Sequence, residues 1–517
     1  MSDLIVKNIS FGKEANEKVF SGVEKLALAV GTTLGGGGKC VMVEDSYGNP
    51  VITKDGVTIA DSITLLDPVE NMGATLLKEA ARKTVREAGD GTTTATVLAY
   101  YILKYLNELE NTNEREIKRD VNSMLLKIVA YLEEQAVQVD NNMLNQIASI
   151  ATNNNPILGK LIGDAFKEVG NTGVVMMELS DDSESSFEVK EGAVLDMGLT
   201  NNAFITNREL KTAELDNPYI LLVDSPIDTI AQIETVLTYI IKSKKSLLII
   251  ADVDPKVQAT LAMNNLKGNI KINVINAPTF GINRKEVFED IALLTGSTLF
   301  NEDLGDDLDL IDVDSLGRCV RSSTDYNETA LIIEETSKEV NKIISGIKKS
   351  ITKEKNPNTV VKLEKRLARL NAKVALIKVG ANSPVELKEL SDRVEDAICA
   401  TKAAIKSGVI PGGGVALMNA ARKFDCATSS NGEKVLLKAI NEPFNLILQN
   451  AGIEVKVNNE EFIYGVGIDV VTGLTVNMVE QGIIDPLLVT KSALINAVSV
   501  ATTIYSTNCV INNLRVS

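Results

Sequence analysis

Ala88-Gly-Asp-Gly-Thr-Thr-Thr-Ala-Thr-Val-Leu-Ala99 is a break of glycines, one aspartate and hydroxyls between two apolar stretches. Before it, Leu77, Ala81, Val85 and Ala88 recur on one face of a predicted helix that stops at Gly89, and a further apolar helix starts within Thr92 to Thr96. Glycine lets the backbone approach an anion, and a helix beginning right after the loop supplies unpaired N–H groups and a favourable dipole. Asp90 and three hydroxyls therefore stand at the start of the second helix, a phosphate-binding pattern. An aspartate beside phosphates repels them unless a magnesium ion is shared between the carboxylate and the phosphate oxygens, which makes Asp90 a metal candidate. The plainer alternative is that Asp90 or a threonine caps the helix, the commoner use of an isolated Gly-Asp-Gly-Thr.

Two more loops have this character, Thr33-Leu-Gly-Gly-Gly-Gly-Lys39 and Pro411-Gly-Gly-Gly414. The first follows a predicted helix whose face is Val19, Val23, Leu26 and Val30, ending near Gly31; its alternative is a flexible loop. A Walker A loop fails because Thr33 and Cys40 occupy required positions, and the dinucleotide fingerprint fails at Thr94 and Val470. The acidic stretch 303–314 lacks the loop glycine of an EF-hand and reads as a solvated loop. By spacing alone Asp55, in Thr53-Lys-Asp-Gly56, and Asp396, in Arg393-Val-Glu-Asp396, are a turn residue and a solvated helix face.

Composition narrows the chemistry further. The 517 residues suggest about three domains, and 44% hydrophobic with 24% charged residues is ordinary for a folded chain. The 53 basic and 69 acidic residues leave −16, which disfavours sequence-independent nucleic-acid binding and anionic membranes. With no histidine, Ser-His and Cys-His pairs, histidine-held zinc and imidazole relays are removed together, leaving carboxylates, lysines, hydroxyls or a hard cation. Aromatics at 4% and no tryptophan give little stacking surface for single strands. Cys40, Cys319, Cys399, Cys426 and Cys509 are odd in number and widely spaced, and read as reduced. The longest apolar run, Val97 to Leu103, is far short of a membrane span, and the N-terminus shows no secretory signal, so a cytoplasmic location is expected.

In the middle of the chain Tyr219–Val223, Leu247–Ala251 and Ile270–Ile275 read as strands, alternating with helical stretches around 228–242 and 255–267. Val340, Ile343, Ile347 and Ile351 form a helical stripe up to Asn356-Pro357, resumed by Val360, Leu363, Leu367 and Leu370, so two antiparallel Lys- and Glu-rich helices are expected. After about residue 405 the glycine-rich helical style of the N-terminus returns. The expected fold class is multidomain α and α/β, with a mostly helical domain formed by both termini and an α/β insert between them.

Long motifs in order along the whole chain resemble the group I, GroEL-type chaperonins: TLGGGGKCV (33–41), ITKDGVTIA (52–60), ENMGATLLKEAA (70–81), AGDGTTTATVLA (88–99), RVEDAICATKAAI (393–405), GVIPGGGVAL (408–417) and GIIDPLLVTKSAL (482–494). The resemblance implies an ATP-dependent ring that binds non-native polypeptides and promotes their folding. Its implied domains are an equatorial ATP-binding domain (1–137 and 407–517), an intermediate hinge domain (138–191 and 374–406) and an apical client-binding domain (192–373). Carried over, Thr33, Leu34 and Gly35 line the nucleotide, Lys54, Asp55 and Gly56 close on it, and Gly91, Thr92, Thr93 and Thr94 bind its phosphates. Asp90 holds magnesium, with potassium as a second candidate ion. Gly413, Asp469, Val470, Ile483 and Asp485 surround the purine and ribose. Asp396 would swing in on the intermediate domain to orient the attacking water, with Asp55 beside it as a second catalytic carboxylate. Such chemistry is mainly positioning and charge neutralisation and needs no histidine.

Leu199, Phe204, Val236, Leu237 and Met263 match the apolar client-binding positions, whereas Ala203, Glu234 and Gln258 replace aromatic or aliphatic ones. A co-chaperonin is thus an expected but weakened partner. The upper hinge glycines become Ala372 and Lys373, with Gly192 and Gly408 retained. Met197 and Pro384 stand where the family places an ion pair between neighbours, segment 451–466 is reworked, and no Gly-Met-rich tail precedes Ser517. A seven-membered homo-oligomeric ring is expected, single or double. The alternative function is a passive ring-shaped holdase with nucleotide only as ligand or switch. A metabolic kinase or synthetase is opposed by the missing Walker motif.

Overall fold

Helix Pro68–Ala88 begins because Asp67 accepts hydrogen bonds from the Val69 and Glu70 N–H groups and Pro68 fills the first turn; it ends at Gly89, whose φ of +77° suits glycine. It buries Leu77, Ala81 and Ala88, with Val85 half-buried, against helix Gly12–Gly31, whose buried face contains Val19, Val23, Leu26 and Val30. Both predicted stripes are therefore core faces. The computed structural model describes residues 7–44, 48–110, 113–141, 143–152, 155–170, 173–207, 211–278, 282–308, 311–333, 338–353, 363, 366–367, 369–370, 373–424, 429–454 and 464–513. Ala372, Cys426, Asn356-Pro357, Val360, Ser517 and most of 451–466 lie outside the described residues.

The chain divides into two compact units, Met1–Asp164 with Ala381–Ser517, and Ala165–Gly380. The first is mostly helical and is built from both ends of the chain. Leu26, Leu77 and Leu103 share one core with Leu436, Leu494 and Val498, and strand Lys7–Phe11 pairs antiparallel with Cys509–Asn513. At its centre helix Leu487–Tyr505 packs on helices Thr92–Asn107 and Pro68–Ala88. By length and composition this helix is apolar enough to cross a membrane, with a mean hydropathy of 1.5 over 18 residues, yet 67% of that window is buried inside the unit. Burial at a domain centre accounts for its apolarity.

Among the described residues the second unit contains two sheets. In one, Leu299–Phe300, Tyr219–Val223, Ser246–Ile250 and Lys271–Ile275 are parallel neighbours in that order, and Gly317–Arg318 adds antiparallel to Tyr219–Val223. Strands buried on both faces explain the continuous apolar runs read from sequence. Helices Glu234–Ser243 and Pro255–Leu266 follow the first two parallel strands. The other sheet has six strands, ordered Val174–Leu179, Lys373–Val379, Ser186–Leu195, Thr329–Ile332, Arg321–Thr324 and Ala213–Asp216. Ser186–Leu195 changes partner at Gly192: Ser186 to Glu191 pair with strand Lys373–Val379, and Gly192 to Leu195 pair with strand Thr329–Ile332. Helix Lys338–Lys353 packs Val340, Ile344 and Ile347 into a core that Leu363, Leu367 and Leu370 also join.

Candidate functional site

Gly91, in the left-handed region at φ +96°, caps helix Thr92–Asn107 with no side-chain hydrogen bond. Asp90 does not cap that helix: its carboxylate accepts from the adjacent Gly91 N–H. A Cβ on Gly91 would lie 2.8 Å from Val489, and one on Gly89 2.6 Å from the Cβ of Cys399 on helix Pro384–Ser407. Those close approaches bring the loop against the helix that carries Asp396, one turn before Cys399. Thr92 is buried, and Thr93 and Thr94 are half-buried, at a helix start whose first-turn N–H groups have no side-chain cap.

Asp55 keeps the ordinary role that spacing suggested. It caps helix Gly56–Ser62, accepting from Val57 N–H at 3.1 Å, Thr58 N–H at 2.7 Å and the Thr58 hydroxyl at 2.6 Å. A Cβ on Gly56 would meet the Thr93 hydroxyl oxygen at 2.7 Å, so this cap abuts the phosphate-type loop. Lys54 beside it is exposed.

The glycine loop at 35–38 is held in place. Added Cβ atoms on Gly35, Gly37 and Gly38 would fall 2.8 Å from Ile447, 2.6 Å from Ala451 and 2.1 Å from the Thr33 carbonyl. Asn450 donates its amide to the Gly31 and Leu34 carbonyls, both at 2.9 Å, and Thr33 donates its hydroxyl to Val30. Gly36 approaches Val470, which shares a small apolar cluster with Ile483 and Met478. Gly413 lies against Met478, and Gly412 against Asp485. Val470 and Ile483 thus share one apolar cluster with Met478, against which Gly413 lies, while Leu34 and Gly35 are held by Asn450 and Ile447 at the end of helix Glu442–Asn450. Asp469 has turned to its own loop, accepting from Val471 N–H at 3.0 Å and the Thr472 hydroxyl at 2.7 Å.

The electrostatics single out Asp90. Desolvation raises its carboxyl above the ordinary range, opposed by the Gly91 N–H and reinforced by the charge of Asp55. Asp396 is solvent-accessible but hemmed in by protein. That desolvation first, then the charges of Asp90 and Asp55, pushes it well above the usual carboxylate range. Desolvation and Asp90 raise Asp485 to about 7 against the pull of the Gly413 N–H. Asp90 is the common neighbour of three other carboxylates, an arrangement whose charge a cation would offset. Among the described residues no three acidic or cysteine side chains are placed to hold an ion by themselves. Cys399, beside this cluster, has its thiol pushed upward by burial and by Glu395 and Asp396. Sequence reasoning missed the clamps supplied by Asn450, Ile447, Ala451, Val489 and Cys399, because apolar and amide packing partners carry no motif.

The expected client-binding residues divide. Phe204 and Val236 are wholly buried and Leu237 is 8% exposed, all in one core shared by helices Glu234–Ser243 and Pro255–Leu266. Leu199 is half-buried, and Met263 is 54% exposed, near exposed Leu266.

Residues 26–515 match the TCP-1/cpn60 chaperonin family, and the chain belongs to that family. It is a divergent member. Its fold is similar to that of the chaperonin gp146 from the Pseudomonas aeruginosa bacteriophage EL, solved in two crystal forms in the presence of ATP-BeFx. The TM-scores are 0.73 and 0.65 at 21% identity, covering 98% of this chain and 99% of the other in each case.

Proposed function

We propose that this chain is an ATP-hydrolysing chaperonin subunit that binds non-native polypeptides in a homo-oligomeric ring and couples hydrolysis to domain rotation. The observation that carries the reading is the gathering of Asp90, Asp55, Asp396 and Asp485 around an uncapped helix start. The similar phage chaperonin was crystallised with an ATP analogue, which supports the same ligand class here.

Asp90 would hold magnesium, which supplies charge neutralisation at the phosphate oxygens when bound. Thr92, Thr93 and Thr94 would receive phosphate through backbone N–H groups and hydroxyls, with Gly91 keeping the backbone close. Thr33, Leu34, Gly35, Gly413, Val470 and Ile483 would border the base, and Asp485 would accept from a ribose hydroxyl. Asp469 would take part only after release from its turn. Asp396, raised by desolvation and then by the charges of Asp90 and Asp55, would orient the attacking water and accept its proton. Asp55, fixed as a helix cap, is better placed to hold the Lys54–Gly56 segment against the loop than to exchange protons. The proposed division is equatorial, intermediate and apical, with Asp396 on the intermediate part, and the location is cytoplasmic.

The test is Asp396→Ala. ATP binding is retained while steady-state hydrolysis falls about a hundredfold or more, the usual range for a lost general base. Normal turnover by this variant removes the catalytic assignment. A refolding assay with and without ATP separates a driven chamber from a passive holdase, which would suppress aggregation equally in both.

A further inference from the structure

Two charged features of the second unit are left unused by the proposed activity. Glu302–Asp314 carries seven acidic and no basic residues. Its first turn is anchored at the end of the parallel sheet: Glu302 N–H donates to Ser225 Oγ at 2.8 Å, and Asn301 donates its amide to Asp224 at 3.1 Å. Arg284 in turn pairs with Asp224 and reaches Asp252 at 2.9 Å. On this anchored turn Leu304 is 78% exposed, flanked by exposed Glu302, Asp306 and Asp307. An apolar tip within a charged rim has the anatomy of an interface anchor.

Helix Lys338–Lys353 carries five lysines against one glutamate in a chain of net charge −16. Its period places Lys342, Ser345, Gly346 and Lys349 along one side, opposite the buried Val340, Ile344 and Ile347. Lys342, Ser345, Gly346 and Lys349 are exposed, and a Cβ on Gly346 would meet nothing within 4 Å. Glycine inside a helix weakens it relative to alanine, and among the described residues no packing requires it here. The result is a shallow dip in the helix surface between lysines.

We propose that these two surfaces meet between neighbouring copies of the chain, Leu304 of one seating at Gly346 of the next while the acidic turn faces Lys342 and Lys349. The surfaces differ, so the contact is head-to-tail, the kind that closes rings. Opposite local charge overcomes the mutual repulsion of two strongly acidic chains and fixes register. This inference rests on the ring reading above.

Assembly of the full-length chain, followed by sedimentation velocity over protein concentration and salt, tests it. Lys342→Glu with Lys349→Glu, and separately Asp306→Lys with Asp307→Lys, should each raise the half-assembly concentration about tenfold, from several modest surface pairs turned repulsive. Combining all four should return it to within about threefold of the unmodified chain, because the charges are exchanged across the contact. Gly346→Leu fills the dip and should weaken assembly while preserving helical circular dichroism. Single reversals that assemble normally, or a combination no better than the worse single pair, overturn the proposal. Loss of heparin binding with unchanged assembly would assign the helix to a polyanion and overturn it too. An unmodified chain that forms no rings at any concentration sinks the ring reading itself, a result distinct from all of these.

Discussion

The glycine loops of the first unit and the apolar helices of the second were both matched position by position to the same family, yet the structure treats them differently. In the first unit Gly89 meets Cys399 of helix Pro384–Ser407 and Gly91 meets Val489 of helix Leu487–Tyr505, although some 300 or more residues separate each pair in the chain. In the second, Phe204 and Val236 sit at 0% exposure, while Met263 faces solvent. A polar or glycine residue at a helix start is fixed by local backbone requirements, so its role survives divergence. An apolar residue serves a core or a docking face equally well, and only the packing around it decides which.

The sharpest way to break this contrast is Phe204→Ala. A fully buried phenylalanine should cost about 3–5 kcal/mol of stability on truncation, read by denaturant unfolding. Met263→Ser should change stability by no more than about 0.5 kcal/mol, yet reduce capture of a non-native polypeptide in an aggregation assay. If Phe204→Ala is nearly neutral for folding and lowers capture instead, Phe204 is a presented anchor and the distinction fails.

A smaller effect sharpens the other side. The Asp485 carboxyl is raised to about 7 in the folded chain. Its unfolded value lies near 4, so the native state holds a proton that the unfolded state has released. The contribution of this group to stability therefore falls as pH rises from about 4 to about 7 and is level above. Asp485→Asn removes that slope: the melting temperature of the nucleotide-free variant relative to the unmodified chain should rise from pH 5 to pH 8. Parallel profiles would show that Asp485 is not held protonated by Asp90 and burial.

How much was legible follows from the same distinction. The stripes Val19–Val30 and Leu77–Ala88 and the strands at 219, 247 and 270 could be read because each repeats at the period of its element. Asp90 could be singled out from its glycine flanks, but its standing among Asp55, Asp396 and Asp485 could not, since their convergence depends on tertiary folding. Asp55 shows the converse. Its cap is what Thr-Lys-Asp-Gly predicts by itself, and the catalytic role came only from the family resemblance. The clamp of Asn450 on two carbonyls of the glycine loop had no sequence signal, because an asparagine at a helix end is ordinary and its partners lie more than 400 residues away in the chain.

Equilibrium ATP binding with and without magnesium, on the unmodified chain and on Asp90→Ala, tests the central claim most directly. The account predicts that magnesium tightens binding to the unmodified chain at least tenfold and that Asp90→Ala loses this dependence while remaining folded. Equal magnesium-dependent affinity in both proteins would contradict it.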